Sequence, residues 1–214
     1  MTKLLGLDIG TTGVRCVAID ERGDLVADAS EEYPLYTPQP GWSEQRPEDW
    51  WEASQRVIAS VATRIGRDVS GIGLAGQMHG AVFLDQKDTV IRPALLWNDQ
   101  RTEAQCQAIT ERVGARRLTE ITGNPALTGF QAPKILWLRD EEPKAYERVA
   151  AVLLPKDYIR LKLTGKRRPT LQTRRARCSS TSKLGHGRAR SCNRSISPRT
   201  GCPRSMKAPS PPAR

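Results

Sequence analysis

Apolar and polar positions along this chain switch between two periods. Leu4, Leu5, Leu7 and Ile9 make a short apolar run, Gly10-Thr11-Thr12-Gly13 interrupts it, and Val14 to Ile19 resumes it. A run, a tight turn and a returning run predict two paired strands. Residues 21–24 predict a hairpin turn and 25–33 a third strand. From Pro47 the period lengthens: Trp50, Val57, Ile58, Val61 and Ile65 recur at helical spacing as far as Gly66. Proline suits the first helical position and glycine the stop. Trp50 and Trp51 are expected in the core rather than stacked on a ligand. Residues 69–75 predict a second buried strand, with further strands over 81–85 and 90–97 around a turn at 86–88. Helices are predicted over 102–113, 116–122 and 129–138, the last with Ile135, Leu136 and Leu138 facing inward. A short helix to Arg148 follows the break at Pro143. A strand over 150–154, a turn at 155–157 and a helix over 158–163, closed by Gly165, complete the pattern.

Strands alternating with helices give an α/β class, and three antiparallel strands at the start are the pattern of a ribonuclease-H-like core. Charge divides the chain. Of its 34 Lys and Arg, 14 lie in residues 166–214, a stretch without a single Asp or Glu. Residues 1–165 therefore hold 20 basic and 23 acidic residues, a formal charge of −3. The net +11 of the whole chain would suggest a nucleic-acid partner, but this body is mildly acidic and its charge selects no partner. Five cysteines, an odd number without CxxC spacing, and a strand starting within a few residues of Met1 point to a reduced, cytoplasmic protein. No run reaches the ~18 apolar residues of a membrane span.

The turn at residues 10–13 is the first candidate for chemistry. The amides and hydroxyls of Thr11 and Thr12 suit an anion such as phosphate, and Gly10 and Gly13 would let the backbone turn and approach a ligand. Asp8, at the strand end, is placed for a Mg²⁺ ion or its waters. An ordinary glycine hairpin fits the same residues. A second candidate is Gly76-Gln77-Met78-His79-Gly80, a polar trio at a strand end, where open α/β sheets bind ligands. A third is Trp97-Asn98-Asp99-Gln100-Arg101, in which Asp99 suits either a helix cap or a substrate contact. The loop from Tyr36 to Arg46 is dense in turn formers and presents Trp42 as an exposed side chain.

Asp8-Ile9-Gly10-Thr11-Thr12-Gly13 followed by a strand resembles the first phosphate loop of the actin-like ATPase and sugar-kinase superfamily. Five further segments agree: Gly41-Trp42-Ser43-Glu44-Gln45, the 76–80 loop, Leu96-Trp97-Asn98-Asp99, residues 132–137 and residues 153–165. Over about 165 residues, in the same order, they are similar to the N-terminal half of the FGGY carbohydrate kinases, and the 76–80 loop resembles their xylulokinase branch. The resemblance implies an actin-like domain with a mixed sheet flanked by helices. It also implies ATP-dependent, Mg²⁺-assisted phosphorylation of a ketopentose, D-xylulose, to D-xylulose 5-phosphate. By position, Asp8 would organise Mg²⁺ and phosphates, and Gly10, Thr11, Thr12 and Gly13 would line them. Met78 and His79 would contact the sugar, with Gln77, Trp42 and Asp99 as further substrate-side candidates. The implied partners are the ketopentose and ATP, with a homodimer conceivable for full-length members.

Two departures accompany the resemblance. Gln131 stands where the family usually has a hydroxyl residue or proline. The family's general base, an aspartate in a later glycine-rich segment, has no match in the chain, so residues 1–214 alone are expected not to work as a kinase; the alternative reading is a half-kinase that holds sugar or phosphate without turnover. The resemblance ends at Thr164-Gly165. Residues 166–214, rich in Arg, Ser and Pro with no Val, Phe, Trp or Tyr, are expected to be disordered. Without aromatic interleaving they make a poor nucleic-acid surface. An out-of-frame reading of a GC-rich gene accounts for this composition better than a selected basic tail.

Overall fold

The computed structural model describes residues 2–66 and 68–167. The basic stretch, from residue 168 onward, lies outside them, as does the expectation of disorder made for it.

Strand β1 (Lys3–Ile9) runs antiparallel to β2 (Gly13–Ile19), which pairs with β3 (Leu25–Glu32); β5 (Val69–Gly76) lies parallel to β1 on its other side. The sheet order is thus β3-β2-β1-β5, a mixed sheet. Alternation along the strands decides what is buried. Leu5, Leu7 and Ile9 of β1 and Val14, Cys16 and Ala18 of β2 share a core with α1 (Pro47–Ile65). That helix contributes Trp50, Ala53, Val57, Val61 and Ile65. It starts with proline at its first turn, beside Glu48 and Asp49, and stops at Gly66, an arrangement that suits its dipole. Trp51 is half-buried at the edge of this core.

A second cluster joins β6 (Val82–Leu84), β8 (Ala151–Leu153) and α4 (Gln131–Glu141) through Phe83, Val152, Trp137 and Leu138. Helices α2 (Glu103–Val113), α3 (Ala115–Thr122), α5 (Pro143–Glu147) and α6 (Pro155–Thr164) complete the described chain, and Gly165 closes α6 in the left-handed conformation.

Several expectations are corrected. β5 is a strand but not a buried one: Ile72 is 43% exposed, because β5 is the sheet edge and its outer face is bare among the described residues. Residues 90–97 are not one strand. Only β7 (Ala94–Leu95) forms, after Pro93, and it pairs with an unforeseen two-residue strand, β4 (Glu44–Gln45). On α4 the buried side chains are Gln131, Pro133, Lys134, Trp137 and, as expected, Leu138, while Ile135 and Leu136 are half-buried. Residues 155–157 begin α6 rather than forming a separate turn, proline again taking the first position. Trp42 is half-buried, edge-on to Trp137 at 5.7 Å. Cys16 and Cys106 are buried free thiols.

Candidate functional site

The turn between β1 and β2 is built from its carbonyls inward. Gly10 carbonyl oxygen accepts from Gln77 Nε2 at 3.1 Å, Thr11 from Gln45 Nε2 at 2.7 Å, Thr12 from the Tyr33 amide at 3.3 Å, and Gly13 from the Gly10 amide at 2.9 Å. The Tyr33 hydroxyl lies 2.6 Å from the Gly10 carbonyl and 3.0 Å from that of Gly13, so its single proton serves one at a time. With every carbonyl held from within, the amides of Thr11 and Thr12 find no acceptor among the described residues. Two adjacent unpaired amides on an exposed turn form a nest for an anion. The Thr12 side chain is exposed, and the Thr11 hydroxyl accepts a bond from Trp97 Nε1 at 3.0 Å.

The glycines of this turn serve packing. Neither Gly10 nor Gly13 has positive φ. A Cβ on Gly13 would lie 2.5 Å from the Glu31 carbonyl oxygen, so this glycine lets β3 close against β2. Asp8 points to the other face of the sheet from the core, onto an open groove of about 370 Å³ lined also by Gly6, Arg15 and Gly73. Its carboxylate has no hydrogen-bond or ion-pair partner among the described residues, since the neighbouring Arg15 pairs with Asp28. Burial raises the Tyr33 pKa, and the Asp8 charge raises it further.

The 76–80 loop meets the turn through Gln77. The Gln77 amide donates to the Ile9 carbonyl at 2.7 Å, and its side chain reaches both Gly10 and Gln45. The residue with positive φ here is His79, at 60°, not a glycine; Gly76 and Gly80 are small because Ile9 and Pro155 crowd them. Met78 is 64% exposed. The His79 ring lies against Phe130, with centroids 4.6 Å apart, and burial together with the Lys134 charge pushes its pKa down. Gln131 Nε2 donates to the Gly80 carbonyl at 2.8 Å, so the departure noted in the sequence pins α4 to this loop. Lys134, fully buried, donates to the carbonyls of Thr128, Gly129 and Phe130 at 3.0, 2.5 and 3.3 Å and holds the segment carrying Phe130. Burial pulls its pKa down to about 7, yet three carbonyl acceptors match the three N–H donors of the ammonium form.

Trp42 and Asp99 lie in a different arrangement. Asp99 is fully buried, accepts from the Ser43 amide at 2.7 Å and is clasped by Arg101, whose guanidinium stacks 3.6 Å over the Trp42 ring. Asp99 does not cap α2, whose preceding residue is Thr102. The sequence singled out Asp8, Thr11, Thr12, Gln77, Met78 and His79 but not Tyr33, Gln45, Trp97 or Phe130. Gln45 sat within a quoted motif and Trp97 within a polar cluster; nothing local marked Tyr33 or Phe130, which meet their partners only through tertiary contacts.

Known proteins share much of this sequence and fold. Residues 3–182 match the N-terminal domain of the FGGY family of carbohydrate kinases. The chain is 48% identical over 168 residues to a xylulose kinase of Lactococcus lactis and 44% identical over 162 residues to one of Escherichia coli. These alignments cover 77% and 75% of this chain but 33% of each relative, so the chain spans about a third of the length of the curated relatives it matches. The crystal structure of xylulose kinase from Rhodospirillum rubrum aligns with a TM-score of 0.75 at 32% identity, covering 77% of this chain and 34% of that one.

Proposed function

The chain belongs to the FGGY family of carbohydrate kinases, and we propose that its residues 1–165 form the phosphate- and sugar-facing part of an ATP-dependent kinase for D-xylulose. The observation that carries this is the 10–13 turn, whose inward-held carbonyls leave the Thr11 and Thr12 amides for an anion. Phosphoryl transfer depends on holding charge and geometry rather than on covalent participation, and such a turn supplies that for phosphate oxygens.

The residues fit the implied cofactors. Thr11 and Thr12 would hold phosphate oxygens of ATP, and Asp8, with no partner of its own, would hold Mg²⁺. No cluster of three or more His, Cys, Asp or Glu able to hold a metal occurs among the described residues. The ion would therefore share Asp8 with phosphates and water, as Mg²⁺ commonly does. When bound, it neutralises phosphate charge. Met78 and His79 would meet the sugar. His79, its pKa lowered, is neutral at neutral pH and can both donate to and accept from a hydroxyl. Among the described residues no helix is long and apolar enough to cross a membrane.

The domain boundary at residue 165 and the out-of-frame origin of 166–214 belong to the same proposal. They are checked on the coding DNA, where another frame should open into acid-containing sequence. The sugar assignment is tested by titrating D-xylulose into the chain while following the Met78 methyl resonance. His79→Ala is expected to weaken binding by ~1–3 kcal/mol, as for a lost buried polar contact. Unchanged affinity would remove His79 from the sugar site.

A further inference from the structure

Gln45 belongs to a motif to which the proposed function gives no role, yet it touches both functional loops. Its side chain is fully buried. Nε2 donates to the Thr11 carbonyl at 2.7 Å and to the Pro34 carbonyl at 3.2 Å, while Oε1 accepts from Trp50 Nε1 and from Gln77 Nε2, each at 3.0 Å. Its amide thus uses two donors and two acceptor sites.

The orientation of these amides follows from chemistry. An indole N–H can only donate, so the Gln45 atom facing Trp50 is oxygen. The nitrogen must then face Thr11 and Pro34, whose carbonyls can only accept. Because Gln45 Oε1 is an acceptor, the Gln77 atom facing it must be its nitrogen, which also reaches the Gly10 carbonyl at 3.1 Å. One polarity therefore runs from the Trp50 indole on α1 through Gln45 to the turn, and through Gln77 to the 76–80 loop. Reversing either amide would set oxygen against oxygen in the interior. Gln77 Oε1 is left buried with no partner among the described residues, the residual cost of this fixed polarity.

The geometry points to Gln45 as the positioning residue of the kinase site: it holds the Thr11 carbonyl inward, so that the Thr11 and Thr12 amides face outward, and ties that turn to the sugar loop through Gln77. Gln45 touches neither ligand in this role. The inference rests on the phosphate assignment of the 10–13 turn.

The test is a titration of the ¹⁵N-labelled full chain with inorganic sulfate, which keeps its double charge across neutral pH. The Thr11 and Thr12 amides are expected to shift saturably, and the side-chain amides of Gln45 and Gln77 to shift with the same Kd. The side-chain amide of Gln105, another buried glutamine, which bonds to Asp140 on α4, should not move. Gln45→Met keeps length and apolar volume but removes all four bonds. It is expected to weaken sulfate binding about tenfold with the remaining amide spectrum preserved, and Gln45→Asn to recover less than half of the loss in logarithmic units. Sulfate binding that perturbs Thr11 and Thr12 but neither glutamine, or a folded Gln45→Met that binds as the parent does, would overturn the role of Gln45 and leave the phosphate loop standing. No saturable shift at Thr11 and Thr12 in the unaltered chain would overturn both. Should Gln45→Met fail to fold, the glutamine shifts in the unaltered chain still decide the matter.

Discussion

Glu44 and Gln45 are consecutive residues of a two-residue strand, and they enter two buried networks of opposite kinds. Glu44 meets Arg92 and Arg101; Arg101 also clasps Asp99, Arg92 also pairs with Glu142, and both guanidinium groups lie over the Trp137 ring. Gln45 meets amides, an indole and backbone carbonyls, with no formal charge among its partners. The ionic side locks loops to one another: Asp99 to Ser43, Trp42 under Arg101. The amide side sets the polarity of a binding turn. Charges buried in pairs give rigidity at a large desolvation cost, whereas neutral amides can orient a loop beside an anion site without placing a competing charge there.

Breaking the ionic side should have the largest effect on stability. Arg101→Met leaves Asp99 and Glu44, both buried, without their shared cation, and is expected to cost ~3–5 kcal/mol in denaturant unfolding. The same kind of change on the amide side, Gln45→Met, strands no charge and should cost ~1–3 kcal/mol while reducing anion binding. If the two losses prove equal, the contrast between the networks fails. Acid sharpens it further. The His79 pKa lies below its ordinary value, so the unfolded chain takes up this proton first. The stability that neutral His79 contributes is complete above ~6.5 and is lost as pH falls through its folded pKa. A pH series of melting curves should therefore drop less steeply in this window for His79→Gln than for the parent chain. The smallest expected effect is that of Trp97→Phe, which removes the bond from a half-exposed indole to the Thr11 hydroxyl. It should cost no more than ~1 kcal/mol, since solvent can replace the lost partner.

Legibility in the sequence followed how locally each feature is determined. The β1–β2 turn, α1 with its proline start and glycine stop, and the closure of α6 by Gly165 are set by neighbours in the chain and were expected from it. β4 was not, and of the strand expected over 90–97 only the two residues of β7 form, paired with β4 so that Leu95 lies opposite Glu44. β5 was expected to be buried because an apolar strand ordinarily is, and its edge position could not be read from its own residues. Within the site, hydroxyls and glycines marked the 10–13 turn, but the reason for Gly13 lies in the Glu31 backbone, 18 residues away. Asp99 suited either a helix cap or a substrate contact. Its clasp by Arg101 and its bond from Ser43 give it a buried place that no spacing announced.

The central claim, that Asp8 and the 10–13 turn together hold the metal and phosphates of ATP, is tested most directly by ATP binding with and without Mg²⁺. The measurement follows the Thr11 and Thr12 amide resonances of the full chain and of Asp8→Asn. The account predicts that Mg²⁺ tightens ATP binding in the parent chain, and that Asp8→Asn abolishes this tightening while leaving D-xylulose binding at Met78 unchanged. Identical Mg²⁺ dependence in the two proteins, or ATP binding that leaves Thr11 and Thr12 unmoved, would contradict it.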